Sequence, residues 1–562
     1  MFAPTSSRVY YVTAKRYTTR LPVHRAISTY EEYDVAIIGG GPAGLALASA
    51  LGSSQVIQKK LRVVLIDAGD LSKVRNWSPP PGTFSNRVVS LTNSSQTFLR
   101  EIGAWDHVEA SRTSPMEEMQ VWDGVSDARL KFSATEIGLD VSEDGMARLT
   151  EILNLQRGLL RRLEGFSNIK ICDKMKVQTI TRDSEERGGW PMVHLESSQV
   201  LRARLLVGAD GFNSPVRSYA GVPSFGWSYD RQGIVATMVH APRGAFEGPN
   251  TTAYQRFLPT GPIAFLPLSP TISSLVWSNR PHIASALIGS GPDVLANMIN
   301  AAFRLPEVSL RYLFNRIVEA YSKGNPLSGS EIQREIFWRE QSHSVDPNSA
   351  FASAMVKTRE GVPPVDSQFV PPLVSMIQAG SVASFPLKFN HAESYIGEGI
   401  GGRTVLVGDA AHTVHPLAGQ GLNMGIGDVE SLTRCIHNAL IQGGDVGSYT
   451  ALQPYARERY LANHSLMAAV DKLHKLYTTT SEPVVWARSV GIEILNELDS
   501  VKAAIMTVAG AQNSKIHSDM TGWNFAAKGV ESFVATAQVA KTLSGGLSGI
   551  IDTGLHNLLG RR

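Results

Sequence analysis

The stretch IIGGGPAG, residues 37–44, decides how the N-terminal part of this chain folds. Ile37 and Ile38 close a short apolar run, 35–38, suited to a strand buried on both faces. The glycines that follow have the spacing Gly39-x-Gly41-x-x-Gly44. In such a turn the first glycine permits the tight reversal. The second lets backbone approach a diphosphate, and the third lets helix and strand pack closely. Residues 43–51 read as the helix whose N-terminal N–H groups face that diphosphate. A second buried strand is predicted over 61–66 (LRVVLI), ending at Asp67, which is placed to accept hydrogen bonds from the adenosine ribose. Strand, turn, helix and strand form a βαβ unit, and the unit reads as a dinucleotide site.

Far downstream lies VLVGDAAHTVHPLAGQGLNMGIGD, residues 405–428. A buried strand is predicted over 404–407. Gly408 and Asp409 follow it, and an acid there suits the hydroxyls of a ribityl chain. Pro416 begins a turn, and Gly419, Gln420, Gly421, Leu422 and Asn423 lead into a helix. Their backbone N–H groups can point at the N1–C2=O edge of a flavin, where reduction places negative charge. Alone, this segment also reads as a glycine-rich loop without a ligand; joined to the first motif it specifies FAD. Between them lies GADGFNSPVR, residues 208–217, after a strand predicted at 205–207. Its Asp210-Gly211 turn and Arg217 can brace the same pocket.

At 562 residues the chain is too long for one core, so several domains are expected. The 43% hydrophobic and 18% charged composition is that of a globular protein. Residues 1–30 hold Arg8, Lys15, Arg16, Arg20 and Arg25 and no acid, the composition of a mitochondrial presequence. A basic terminus without an address is the alternative. Without those five charges, 48 basic residues face 50 acidic ones, a net of −2, so no general nucleic-acid binder is implied. The longest uncharged runs are 35–58, broken by the glycine turn, and 257–279, which holds four prolines; neither suits a membrane span. Cys172 and Cys435 match no metal or redox spacing and read as buried thiols; no metal site is expected.

Alternation over 233–240 and 272–277 predicts antiparallel strands within a second region, 219–385, joined by Pro-rich connections. A polar, loop-rich surface insertion is expected over about 322–375 and long helices through about 510. In the tail, Val530, Phe533, Val534 and Ala537 recur at helical spacing among basic residues. That suits a membrane surface, a partner protein or packing on the enzyme itself. The fold class is therefore α/β: a Rossmann-like FAD-binding domain of glutathione-reductase type, interrupted by a mixed β-sheet substrate domain and followed by helices. The expected boundaries are 1–30 for the presequence, 31–110, 147–219 and 385–435 for FAD binding, and 111–146 with 220–384 for substrate. Residues 436–510 form C-terminal helices and 511–562 an amphipathic tail.

These three motifs, in this order, resemble the group A flavoprotein aromatic hydroxylases, which share the p-hydroxybenzoate hydroxylase fold. Further segments resemble the ubiquinone-biosynthesis hydroxylases, and among them the mitochondrial branch that oxidises C5 of the polyprenylated ring. They are FSNRVVSLTNSSQTFLREIGAW (84–105), YDRQGIVATMV (229–239), YQRFLPTGPIAFLPL (254–268), VWSNRP (276–281) and RSVGIEILNELDSVKAAIMTVAG (488–510). The likeness spans about 33–510. It implies that Arg87 lies near the flavin and that Gln156, on a helix over 151–163, lies near the pyrophosphate. Ile152 departs from the pattern, since many relatives place an Asn after the glutamate.

The resemblance also implies the chemistry, which is the cofactor's own. Reduced FAD takes up O2 as a C4a-hydroperoxide and transfers oxygen to a polyprenylated phenol. No second GxGxxG follows a buried strand and opens a helix, so a ferredoxin with its NADPH-ferredoxin reductase is the implied electron source. Other coenzyme Q biosynthesis proteins and a peripheral contact with the matrix face of the mitochondrial inner membrane are the implied surroundings. No catalytic residue is assigned beyond His412 and His415, which could relay protons, with a structural role orienting the loop as the other reading of His412. A flavin oxidoreductase without oxygen insertion, or an FAD-retaining scaffold, remains the alternative.

Overall fold

The structure is a computed structural model, and it describes residues 30–126, 128–135, 145–184, 189–243, 248–342, 370–416 and 419–497. The first strand, Glu31–Ile38, pairs in parallel with Val63–Ile66 on one side and Val200–Gly208 on the other. Ile169–Cys172 extends the sheet in parallel beyond Val63–Ile66. The far edge of Val200–Gly208 is shared between two partners. Its beginning pairs antiparallel with Pro191–Leu195, and its end pairs in parallel with Thr404–Leu406. This sharing delivers the downstream loop beside the first glycine turn. The central strands are buried on both faces, as their unbroken apolar runs require. Helices Pro42–Ser53, Ile152–Leu163 and Gly421–Ile441 pack together over one face.

A second sheet of nine strands is built on the long strand Ser224–His240. Ile272–Asn279 and Ala383–Ala392 flank it, both antiparallel, and the sheet continues through Gly261–Ser269 and Thr252–Leu258. Glu118–Asp123 joins in parallel and Arg129–Ser133 closes that edge. At the opposite edge His412–Thr413 pairs with Asn390 and His391, so the loop after Gly408 is hydrogen-bonded to this sheet as well. Side chains alternate as the pleat demands. Ile263, Phe265, Leu275 and Trp277 face a helical layer, while Pro262, Ala264, Val276 and Ser278 face the other way.

That helical layer corrects the sequence-based expectation of strands and loops through 219–385. Pro281–Gly289, Pro292–Arg304, Glu307–Ser322 and Gly329–Ser342 are helices, and the last lies where a loop-rich insertion was expected. Ile332 and Ile336, one turn apart, bury against the same core as Trp277, which holds that helix to the sheet. The remainder of the expected insertion, 343–369, lies outside the described residues, as do residues 1–29 and the tail from 498. A small antiparallel sheet of Val88–Thr92, Ala147–Glu151 and Thr113–Met116, absent from the sequence reading, joins the two larger ones. Arg488 on the last described helix, Glu482–Glu497, pairs with Asp123 through Nε–Oδ2 at 2.6 Å and Nη2–Oδ1 at 2.8 Å. Both side chains are buried, and this bidentate geometry is the kind that compensates desolvation. Cys172 and Cys435 are free.

Candidate active site

The glycine turn is set by what its neighbours exclude. Gly39 has φ +112°, outside the range of ordinary residues, and a Cβ there would collide with the Ala209 carbonyl. A Cβ on Gly44 would collide with the Gly39 carbonyl, so helix and strand meet without side chains between them. Gly41 differs: among the described residues nothing beyond its own chain neighbours and helix backbone lies within 4 Å of where its Cβ would stand. The space over the helix N-terminus, towards which unbonded N–H groups point, is open to a ligand. Asp67 braces the turn, its Oδ2 accepting from Gly40 N at 2.5 Å and its Oδ1 from Gly69 N at 2.6 Å. Gln156 donates from Nε2 to the Gly40 carbonyl at 3.3 Å.

Gly408 arrives from Thr404–Leu406 with φ +59°. A Cβ on it would lie 3.3 Å from that of Ala43, and Gly425 of the following helix packs on its Cα. The two glycine loops are thus in contact. The Asp409 carboxylate opens to the cleft, yet protein encloses its other sides. Burial raises its pKa, opposed by His412 and Arg87. Arg87 is exposed on the segment facing it. Asp210 Oδ2 accepts from Val216 N at 3.1 Å while its buried Oδ1 has no partner, and burial raises this carboxyl too. Gly211 follows at φ +81°. Arg217 clamps the middle motif to the later loop, donating to the Ala410 carbonyl at 2.7 Å and the Phe212 carbonyl at 2.6 Å.

Asp428, which the sequence reading passed over, anchors this loop. It is fully buried and accepts from Gly408 N at 3.1 Å, Arg459 Nε at 2.9 Å and Asn463 Nδ2 at 2.9 Å, with His412 Nε2 at 2.6 Å. Burial alone would raise its carboxyl, but His412 and Arg459 outweigh it and hold the pKa at about 2. His412 is therefore committed to the anchor. Arg459 and Asn463 are one turn apart on Tyr449–Thr478, the signal that could have exposed the network. Asn423 is likewise committed, its Nδ2 donating to the Ser90 carbonyl at 2.8 Å and its Oδ1 accepting from Thr92 N at 3.1 Å. Gly419, at φ +61°, donates to the Pro416 carbonyl at 3.0 Å. Gln420, Gly421 and Leu422 open the helix, and Leu422 packs on the core.

His415 and Pro416 face the second sheet. With Gly233, Gln255, Pro262, Ala264, Val276 and Ser278 they line a small, mainly apolar pocket beside the loop. Burial lowers the His415 pKa to about 3, helped by His474 and Arg231, so its imidazole is neutral.

These residues fit FAD: a diphosphate cradle at Gly41, an acid where each sugar-like chain would run, and a loop N-terminus between them. The family described as an FAD binding domain matches residues 32–308 and 365–470. A Schizosaccharomyces pombe protein named ubiquinone biosynthesis monooxygenase COQ6, mitochondrial, is 37% identical over 85% of this chain and 91% of its own length. The Xenopus tropicalis and Homo sapiens proteins of that name are 39% and 34% identical, each covered over 93% of its length by 85% and 86% of this chain.

The chain belongs to the ubiquinone biosynthesis monooxygenase family.

It is an FAD-dependent monooxygenase. Solved structures bear on the fold alone. Pseudomonas putida p-nitrophenol 4-monooxygenase PnpA superposes with TM-score 0.55 at 16% identity, over 87% of this chain and 100% of that one. Pseudomonas aeruginosa PqsL, described as a probable FAD-dependent monooxygenase, gives 0.54 at 19%, over 83% and 100%. The family match skips 309–364, which includes most of the two outer helices over the second sheet.

Proposed function

We propose that this chain hydroxylates C5 of a polyprenylated phenol in ubiquinone biosynthesis, at the matrix face of the mitochondrial inner membrane. The observation that carries the reading is the contact between the two glycine loops, Ala43 against Gly408, directly beside a pocket that opens on a sheet face. When bound and reduced, FAD supplies the electrophilic oxygen, by the C4a-hydroperoxide route. The chain's own residues do the rest. Gly39, Gly41 and Gly44 shape the diphosphate cradle, with Gln156 and Asp67 fixing the turn. Asp409 holds the ribityl chain, Arg87 balances the charge beside it, and Asp210 with Gly211 closes the third side. Pro416, Gly419, Gln420, Gly421, Leu422 and Asn423 present the loop to the isoalloxazine edge. Pro262, Ala264 and Val276 give the ring an apolar wall and exclude water, and His415 handles its proton.

In this reading 31–110, 147–219 and 385–435 bind FAD, while 111–146 and 220–384 hold the substrate. Electrons come from a ferredoxin and its NADPH-dependent reductase, since there is no second nucleotide turn. The presequence over 1–30 directs import, and the tail over 511–562 meets the membrane or other coenzyme Q biosynthesis proteins. The test is mass spectrometry of quinone intermediates in cells lacking the chain. A polyprenylated ring without its C5 oxygen should accumulate; an intermediate already oxidised at C5 would overturn the assignment. Purified protein should be yellow.

A further inference from the structure

Of the two loop histidines, His415 lines the pocket while His412 is committed to Asp428. Behind His415 stand Tyr229, from the long strand, and His474, from Tyr449–Thr478. Ring centroids are 5.0 Å apart for Tyr229 and His415, 4.8 Å for Tyr229 and His474, and 4.7 Å for His415 and His474. Asp471 lies one turn before His474 and pairs through Oδ2 with Lys475 Nζ at 2.7 Å, a side chain that is 65% exposed. A line of ionisable groups thus runs from the pocket wall to solvent. Among the described residues Tyr229 Oη, His474 Nδ1 and Asp471 Oδ1 are buried and have no partner at full hydrogen-bonding geometry, although Tyr229 and Asp471 lie near enough to interact. Each such group costs about 1–3 kcal/mol, and native proteins keep few of them.

We propose that Tyr229, His474 and Asp471 relay protons between His415 and solvent during ring hydroxylation. The relay rests on the ring-hydroxylation reading above. Once oxygen has reached the ring carbon, its C–H bond breaks and the electron pair restores the aromatic ring. The proton passes to His415, then by way of water bridging the unpaired atoms of Tyr229 and His474 to Asp471, and leaves to solvent beside Lys475. A ring regaining aromaticity is acid enough to protonate a weak base. Burial lowers His415 to about 3, and burial with Arg231 lowers His474 to about 4. Both imidazoles are therefore neutral, each with one donor and one acceptor, the state a relay requires. Burial and Asp471 keep the Tyr229 hydroxyl protonated. The charge of Arg231 disfavours a proton resting on either histidine and drives it onward.

Tyr229→Phe keeps the ring and removes the hydroxyl. The full-length holoenzyme, reduced with dithionite, is mixed with oxygen and a short-chain prenylated phenol, and hydroxylated ring is counted in a single turnover. The rate should fall by on the order of 100-fold, the scale of a lost proton-transfer group. FAD content and KM should hold, the solvent deuterium isotope effect should grow, and added imidazole should restore the rate. Asp471→Asn, away from the pocket, should show the same signature and carries the test if Tyr229→Phe fails to hold FAD. Unchanged rates in both variants would overturn the relay, as would a loss that imidazole and heavy water leave untouched. If wild-type enzyme makes no hydroxylated ring, the ring-hydroxylation reading falls first and the relay with it.

Discussion

Two buried polar clusters flank the flavin loop, and they are finished differently. Around Asp428 both carboxylate oxygens are taken, since Gly408, His412, Arg459 and Asn463 converge on them, and only His412 Nδ1 is left without a partner among the described residues. Around His415 the neighbouring Tyr229, His474 and Asp471 each keep a buried atom without a partner at full hydrogen-bonding geometry. A saturated network in a low dielectric is rigid, and breaking it leaves a charge uncompensated. An unsaturated one is a standing cost, retained where protons or ligands come and go. The first cluster holds the cofactor loop in place; the second faces the chemistry.

The largest effect should come from the glycines on which the saturated frame rests. In Gly44→Ala the new Cβ meets the Gly39 carbonyl, a backbone atom that cannot step aside. The strain should cost about 3 kcal/mol or more, and the protein should purify without flavin absorbance. Gly41→Ala is the control, because among the described residues nothing beyond its own chain neighbours and helix backbone lies within 4 Å of its Cβ. Stability should stay within about 0.5 kcal/mol, while FAD affinity falls by about tenfold, or 1.4 kcal/mol. A Gly41→Ala protein with undiminished affinity would mean that the diphosphate lies elsewhere.

Comparable in size is Asp428→Asn, which strikes the saturated cluster itself. Removing one partner of a buried ion pair costs about 3–5 kcal/mol, read here as a lower Tm and reduced FAD content. The pH dependence follows from the sign of the shift. A carboxyl near 2 in the folded chain, against about 3.9 unfolded, contributes stability above the unfolded value, about 2.6 kcal/mol at neutral pH. That stability is lost as pH falls from about 4 through 2. Acid denaturation of the wild type should therefore be steeper in that window than that of Asp428→Asn. Equal slopes would show that the carboxylate is not held down by His412 and Arg459.

The saturated cluster was the less legible of the two in the sequence. Gly39, Gly44 and Gly408 could be read because their positions demand a missing side chain, and residue type reports that directly. Asp428 lay inside the quoted loop, but its partners Arg459 and Asn463 sit on a helix whose polar face looks like any solvated one. Packing makes that face interior, and packing is not written in spacing. His415 was legible as a candidate, whereas Tyr229 and His474 reach it only through the antiparallel pairing and the path of Tyr449–Thr478. The helical layer over 281–342 was missed for a simpler reason. Pro281 and Pro292 fall within the stretch where Pro-rich connections between strands are expected, yet each stands at the start of a helix, where the absent N–H costs nothing.

The smallest effect tests the unsaturated cluster through its histidines. His474 titrates near 4 when folded and near 6.5 when unfolded, so between those values the unfolded chain binds a proton that the folded chain refuses. Folding stability must then fall as pH drops from about 6.5 towards 4, by up to about 1.4 kcal/mol per pH unit for one such histidine. His415, near 3, adds a second contribution over a slightly wider range. His474→Gln removes the first proton from this balance and leaves His415's in place. Denaturant midpoints measured across that range should therefore lose close to half of the pH slope these two residues produce. A slope that does not change would mean that His474 already carries its charge in the folded chain. The neutral pair on which the relay depends would then not exist, while the Asp428 anchor, which titrates well below this window, would be untouched.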